Sequence, residues 1–502
     1  MGIHEDKHEL ADATLEGTVQ VLEAPVESDR LPESLRGLSR DELELATKKL
    51  RRKMDLTILP IIGILYLLNY IDRQNLAAAK LQGIMEDLNL TTQEFATAIS
   101  ILFVGYLPFQ IPSNLIISRI PRPGLYITTA CMIWGAISAS TAAVKNYNQL
   151  LAVRICLGVV ESVFFPGAVY YLSAWYPKAE LGKRLAGLYI AQQFGNAFGG
   201  LFAAAVLSLD GAHGIAGWQW LFIIEGSATV GIGAICAFLM PEYPHNAKFL
   251  TPIQRDLAVW RIESESGAAE GTVEPSTWQP FLAALKDPKI WMLIFMNMMS
   301  QCQGSIANFF PSIVQSLGYN RTISLLLTAP PYVLAGGVYY MISWYSDRKN
   351  TVYPIILVLI SIATTTYLIP MATTNVGARY FAMMIMPFAS VGPQILLYKT
   401  INLHIARPTT KRAAATALVN SIGGTSNIWM SYLYIGAPRY FPAFGTLIGC
   451  AAIFAGTITF YRWFVHNENK KLASGDYEQL RSVKRGGVTE EMIELGWRYE
   501  MY

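Results

Sequence analysis

Hydrophobic positions along this chain fall in long, nearly unbroken runs separated by short polar stretches, with neither strand-like alternation nor narrow amphipathic stripes. About 20 consecutive apolar residues span ~30 Å of hydrocarbon as a helix. Such runs lie near 55–79, 92–116, 124–144, 149–174, 184–207 and 217–240. They resume near 289–314, 322–345, 352–371, 377–402, 411–436 and 440–464. The pattern predicts an all-α membrane protein of about twelve transmembrane helices. Ahead of the first run, "SRDELELATKKLRRK" places acids early and bases late. Ser39 and Glu42 have capping-box spacing, which predicts a short interfacial helix.

Composition supports a bilayer-embedded chain. Of 502 residues, 52% are hydrophobic and 15% charged, whereas soluble domains average about 25% charged. A net charge of +3 gives no reason to expect a nucleic-acid partner. Cys131, Cys156, Cys236, Cys302 and Cys450 all sit in apolar runs without a CxxC pair. They predict buried free thiols; no metal and no cofactor is expected. Residues 1–45 lack a signal-peptide core, and Asp6 stands where myristoylation requires Ser or Thr.

Positive charge sets the expected orientation. "KKLRRK" at 48–53 precedes span one, Lys178, Lys183 and Arg184 lie between spans four and five, and Arg407, Lys411 and Arg412 between ten and eleven. Loops of the other side carry little positive charge, with Lys145, Arg321, Arg379 and Arg439 well separated. Both termini are therefore expected in the cytoplasm. The sequons at Asn89 and Asn320 fall on the outer side, close to the membrane. The expected division is a tail with the interfacial helix (1–50), a six-helix half (51–240), a cytoplasmic linker (241–288), a second six-helix half (289–465) and a tail (466–502).

The two halves repeat. "KRLAGLYIAQQFGNAFGG" from Lys183 overlays "KRAAATALVNSIGGTSNI" from Lys411 at an offset of 228, which sets Gln192 on Asn420, Gly195 on Gly423, and Asp72-Arg73 on Ser300-Gln301. An even number of helices per half makes them parallel repeats about an axis along the membrane normal. This layout resembles that of the major-facilitator transporters.

Ionisable residues at membrane depth cost at least ~2.5–3.5 kcal/mol on insertion scales and persist where they line a cavity or find partners. Arg154 and Glu161, seven apart in "RICLGVVESVFFPG", share a helix face about 10.5 Å apart along the axis. A helix ruler sets Asp72 about 27 Å above the inner edge of span one and Arg154 about 7.5 Å below the outer edge of span four. The two are nearly level, which leaves an Asp72–Arg154 pair open. Arg73 points about 100° away and can reach a ligand. Glu161 lies deeper, with no base near it in sequence except Arg154. A carboxylate short of cations in low dielectric suits a proton-binding site.

"YIDRQNLAAA" in span one and "RICLGVVESVFFPG…WYPKAELGKR" across span four resemble the anion:cation symporter family of the major facilitators. "LLLTAPPYVLA…SWYSDR" and "INLHIARPTTKRAAATALVNSIGGTSNIW" are similar to its fungal allantoate permease branch, which includes carriers for nicotinate, pantothenate, biotin and related carboxylates. The likeness covers most of residues 50–465. It implies that Asp72 and Glu161 are the proton sites, that Arg73 engages the anionic substrate, and that Arg154 supports the network. It further implies substrate contacts at Gln192, with Gln193 the neighbouring candidate, and at Asn420. Tyr70, Asn297 and Gln301 join the candidate substrate-binding set; Asn308 and Tyr332 are polar enough to line a cavity. The glycines 195, 199 and 200 read as close-packing positions and His404 as structural. One departure stands out: "PSNLIISRIPRP" between spans two and three lacks the usual Gly and Asp, while "SWYSDRKN" keeps Asp347 and Arg348 as gating candidates.

The expected function is proton-coupled symport of a small organic anion by alternating access, in the plasma membrane, by a chain working as a monomer. Protons would neutralise Asp72 and Glu161 and release the arginines to the substrate. A drug/proton antiporter is a rival, but span five contains no proline for that class's Gly-Pro signature. A sugar carrier is another; "PEYPHNAKFL" resembles the sugar porters' motif, yet their Arg-rich inner loops are missing. A non-transporting nutrient sensor is a third. Enzyme activity has no support, since no nucleophile–base pair, metal cluster or phosphate loop appears.

Overall fold

The computed structural model describes residues 32–37, 39–117, 119–267, 278–349, 351–405, 409–474 and 499, and every regular element among them is helical. The features expected at 1–31, at Arg407 and along most of the tail after 474 lie outside the described residues.

In the first half α1 (Arg40–Leu81), α2 (Thr92–Ile117) and α3 (Pro123–Ser140) are followed by α4 (Tyr147–Glu161) and α5 (Phe164–Ser173). Then come α6 (Lys178–Val206) and α7 (Gly217–Leu239). Next in the chain are α8 (Pro252–Gly267) and α9 (Trp278–Leu285). The second half has α10 (Pro288–Gly304) and α11 (Phe310–Gln315), α12 (Arg321–Leu326) and α13 (Ala329–Lys349), and α14 (Tyr353–Ala372). It ends with α15 (Val376–His404), α16 (Thr409–Gly424), α17 (Ser426–Met430) and α18 (Phe441–Ser474). Among the described residues nine helical stretches are long and apolar enough to cross a membrane. The remaining apolar runs, near 92–116, 289–314 and 411–436, are also helical, as α2, α10 with α11, and α16 with α17.

The expected short interfacial helix is instead the first part of α1, a single helix of 42 residues. Its capping box forms as read: Ser39 Oγ accepts from the Glu42 N–H, and Glu42 Oε2 accepts from the Ser39 N–H at 2.9 Å. These bonds hold the exposed Glu42 carboxyl below the ordinary glutamate range. No glycine or proline interrupts the ladder between the cap and Pro60, so nothing separates an interfacial segment from the span. At its far end α1 runs past Tyr70, where hydropathy fades, to Leu81, which puts Asp72 inside the helix.

The expected span four forms as one stretch, Tyr147–Ser173, whose regular helix is interrupted at Ser162 and Val163, just after Glu161. Pro166 has no N–H to give the Ser162 carbonyl four residues back and its ring crowds that carbonyl; α4 ends and α5 starts at Phe164. Glu161 thus sits at a bend.

In the first half α3 packs on α7, α1 on α6 and α2 on α4; in the second α10 packs on α16 and α18, and α15 on α13 and α14. The α1–α6 and α10–α16 crossings are equivalent under the 228-residue offset. A Cβ on Gly195 would stand 2.8 Å from the Leu67 carbonyl oxygen, and one on Gly423 2.3 Å from Asn297 Nδ2. The halves meet where α6 packs on α12 and α13, and where α2 packs on α16 and α17. Tyr432 donates to Thr97 Oγ1 (3.1 Å), Ser100 to the Ile428 carbonyl (2.7 Å), and Asn420 Nδ2 to Gln110 Oε1 (3.1 Å). Thr97 to Gln110 is roughly 20 Å along α2, so this seam is closed over much of the bundle's depth.

At the linker end, charges draw the first half together. Arg184 clasps Asp55 with Nε at 3.1 Å and Nη2 at 3.0 Å, and Glu180 receives Arg51 and Arg261, the latter from α8. The basic run at 48–53 is therefore not a wholly solvated face, since Arg51 is committed to an acid on another helix. In the second half Lys411 bonds the fully buried Asp287 at 2.7 Å, and Lys289 bonds the Tyr499 hydroxyl.

Candidate functional site

Side chains on a helix tilt towards its N-terminus. Helices α1 and α4 run in opposite senses, so their arginines reach in opposite directions. Arg73 on α1 reaches back to the level of Glu161, and its Nε donates to Glu161 Oε2 at 2.9 Å. Arg154 on α4 reaches away, and its Nε donates to the Ala98 carbonyl on α2 at 3.2 Å. The Asp72–Arg154 pair left open by the helix ruler is not made; Glu161, read as short of cations, holds Arg73. A linear ruler misses this because a guanidinium stands several ångströms from its own Cα.

A glycine crossing sets the α2–α4 distance. A Cβ on Gly158 would stand 2.1 Å from the Leu102 carbonyl oxygen, and one on Gly105 2.5 Å from that of Ile155. Only bare backbones approach this closely, and the approach brings Ala98 under Arg154.

Arg73 also lies over two tyrosines, its Cζ 4.6 Å from the Tyr106 ring centroid and 5.4 Å from that of Tyr70. Tyr70 meets Tyr66 edge-on at 5.1 Å, and Tyr189 of α6 faces Tyr398 of α15 at 6.5 Å. The Tyr398 hydroxyl donates to Asn420 Oδ1 at 3.1 Å. The Tyr70 and Tyr106 rings thus flank the guanidinium. Beside it a small pocket is lined by Arg73, Leu76, Ile99, Phe103, Arg154 and Asn308, among others. Both arginines reach its wall, and Arg154 Nη1 has no hydrogen-bond partner among the described residues. In this conformation its free space is no more than about one water molecule, walled by two cationic side chains.

Asp72 is fully buried and accepts from Ser138 of α3. The same hydroxyl lies 3.4 Å from Glu225 of α7, which also receives Asn75 Nδ2 at 3.1 Å and Thr229 Oγ1 at 3.1 Å. Sequence reading passed over Glu225, although it is the one acid in the apolar run 217–240; the rule that singled out Asp72 and Glu161 applies to it equally.

The other candidates divide. Asn420 faces the seam between the halves through Gln110 and Tyr398. Gln193 is buried with its Cβ facing Gly336 of α13, and Gln192 is half-buried. Asn297 is fully buried; it donates to the Val419 carbonyl at 2.8 Å and receives Gln394, so its amide ties α10 to α15 and α16. Gln301 and Asn308 are half-buried, and Asn308 lines the pocket. The Tyr332 hydroxyl is buried without a partner. At the linker end Asp347 pairs with Lys399 of α15 at 2.7 Å, while Arg348 stacks on Trp344. Gln110, Tyr106, Tyr189 and Tyr398 were not singled out from sequence, because single tyrosines and glutamines in apolar runs give no distinctive signal.

A bundle of long apolar helices with charged side chains buried among them fits a multi-pass membrane protein. The family profile described as Major Facilitator Superfamily matches residues 62–431, and the chain belongs to that superfamily. Among curated relatives it is 32% identical over 470 residues to the MFS-type transporter cnsO of Penicillium expansum, covering 89% of each chain. It is 31% identical over 427 residues to an uncharacterized transporter of Schizosaccharomyces pombe, covering 84% of this chain and 87% of that one. In fold it resembles an inward-facing bacterial homolog of the human lysosomal transporter Spinster (TM-score 0.62, 15% identity, 80% of this chain and 95% of that one). A D-xylose-proton symporter is similarly related (TM-score 0.57, 15% identity, 78% and 96%).

Proposed function

We propose that this transporter is a proton-coupled symporter of a small organic anion, a vitamin-like or other carboxylate, working by alternating access. The observation that carries the reading is the Arg73–Glu161 pair beside a pocket shared with Arg154. A guanidinium engaged by a titratable acid exposes its positive charge when that acid takes a proton. Proton binding and anion binding then favour one another, which is the requirement for symport.

In the cycle, a proton reaching Glu161 releases Arg73 Nε. The substrate carboxylate takes the released guanidinium, with Arg154 Nη1 as a second donor and the Tyr70 and Tyr106 rings as walls. Charge-assisted bonds of this kind are the strong ones. Gln192, Gln193 and Asn420 contribute from α6 and α16, and Asp347 with Arg348 participates at the gate. The loaded site closes without an uncompensated charge, the halves rock, and deprotonation of Glu161 lets Arg73 return to it and displace the substrate.

The reading includes twelve spans in two parallel halves, a cytoplasmic linker end with both termini inside, the plasma membrane as location and a monomer as the working unit. Supporting it are the equivalent glycine crossings at the 228-residue offset, the concentration of basic residues at the linker end and the resemblance of the charged motifs. Uptake of labelled nicotinate, pantothenate, biotin and related acids in a transport-deficient fungal host tests it. Accumulation of one such acid that collapses with a protonophore is expected; carriage of a neutral or cationic panel member with no acid transported would overturn it.

A further inference from the structure

Helices α3 and α7 also cross with their backbones close together. A Cβ on Gly226 would stand 2.5 Å from the Gly135 carbonyl oxygen, and one on Gly135 2.9 Å from that of Gly226. The crossing sets Ser138, one turn beyond Gly135, against Glu225, the neighbour of Gly226. The Ser138 hydroxyl then touches two carboxylates, Asp72 and Glu225, on α1 and α7.

A serine hydroxyl has one hydrogen and donates to one acceptor at a time. Between two bare carboxylates it satisfies one and presents a lone pair to the other. Neither acid is in contact with a cation: among the described residues no lysine, arginine or histidine nitrogen lies within 4.0 Å of an Asp72 or Glu225 oxygen, and Arg154 acts on Asp72 from further off. Both groups are buried, and Asp72 Oδ2 has no hydrogen-bond partner among the described residues. The groups facing Glu225 are Asp72 and Asn75 from α1, Ser138 and Cys131 from α3, and Thr229 on α7 itself. Arg154, Arg73 and Glu161 approach from the Asp72 side. Two carboxylates sharing one dry site do not both ionise.

We infer that Asp72 and Glu225 hold one proton between them across Ser138 in the substrate-free protein, with Glu225 as the positioning residue that sets the charge of the Asp72 site. The proton moves without a charged serine: the carboxylic acid gives its hydrogen to Ser138 Oγ as the serine gives its own to the carboxylate. The pair counts as one negative charge. With Arg73 and Arg154 positive and Glu161 negative, the cluster is neutral before anything binds. One anion entering with one proton on Glu161 leaves it neutral again. This consequence for coupling rests on the symport reading above; the shared proton does not.

Infrared difference spectroscopy on the purified full chain in lipid nanodiscs, without substrate, in water and deuterium oxide, tests it. A protonated-carboxyl band at neutral pH that shifts in deuterium oxide is expected. It should be lost in Glu225→Gln, shifted in Ser138→Ala and unchanged in Glu161→Gln. Ser138→Ala keeps the test decisive if Glu225→Gln does not fold. Absence of the band from the wild type, or its persistence unshifted in every folded variant of residues 225 and 138, overturns the inference. Gradient-driven uptake is scored separately: a wild type with the band but no gradient-driven uptake keeps the shared proton and removes symport.

Discussion

Arg73 on α1 and Glu161 at the broken end of α4 meet through a single Nε–Oε2 contact of 2.9 Å, with Glu161 fully buried and the arginine 16% exposed. Removing one partner from a buried pair leaves the other charge uncompensated, whereas protonating the acid removes one charge and frees the other for a ligand. The Glu161→Gln variant mimics the protonated state. It should lose uphill accumulation while keeping substrate binding and exchange, as measured in proteoliposomes with and without a pH gradient. Unchanged accumulation at normal expression takes Glu161 out of the coupling.

Lysine at position 73 keeps the positive charge and loses the planar fork. Loss of one charge-assisted bond, about 2 kcal/mol, corresponds to a roughly 30-fold rise in half-saturating concentration. Arg73→Lys should show a rise of that order, and Arg73→Ala should abolish transport. The amide of a transported acid should compete poorly against the wild type. Equal competition by acid and amide would place the carboxylate elsewhere, with Arg154 next in line.

How much of this site was legible beforehand follows from the physics of each residue. Charged groups in apolar runs are conspicuous because hydrocarbon penalises them, so Asp72, Arg73, Arg154 and Glu161 could be read from a string of letters. Their pairing could not, because it depends on the opposite tilt of side chains on antiparallel helices. The repeat register was legible because small residues mark crossings, as Gly195 and Gly423 do. The continuity of α1 and the bend after Glu161 turned on local rules, the absence of breakers before Pro60 and the presence of Pro166. The run reads as one span, and Tyr147–Ser173 is one stretch long and apolar enough to cross. Asn297 drew attention as a polar residue in a span, yet its amide serves the packing of α10.

The α2–α4 crossing gives a stability prediction. Leucine at Gly158 meets the Leu102 carbonyl carbon and oxygen with no flexible side chain to give way. Overpacking of this kind costs about 1–3 kcal/mol or more, so Gly158→Leu should lower the thermal midpoint of detergent-purified protein by several degrees and displace Arg154 from Ala98. Gly187→Leu, where a Cβ meets nothing within 4 Å, should leave the midpoint nearly unchanged. Equal midpoints for the two variants contradict the crossing.

The contact between Gln110 and Asn420 joins the halves, so it must open and close if they rock. Cysteines at both positions should cross-link under mild oxidation and stop transport, with recovery on reduction. Either cysteine alone should react with small aqueous reagents and be protected by substrate. Full transport with the cross-link in place would make this contact part of a static seam.

The claim that most needs testing is that proton and anion use the same pair of groups. Its most direct measurement is the substrate-binding affinity of purified wild-type and Glu161→Gln protein as a function of pH, using the acid found by the uptake panel. Wild-type affinity should strengthen as pH falls and the added proton frees Arg73, whereas Glu161→Gln should bind tightly with a much flatter pH dependence. The same steep dependence in both proteins would contradict shared use of the Arg73–Glu161 pair.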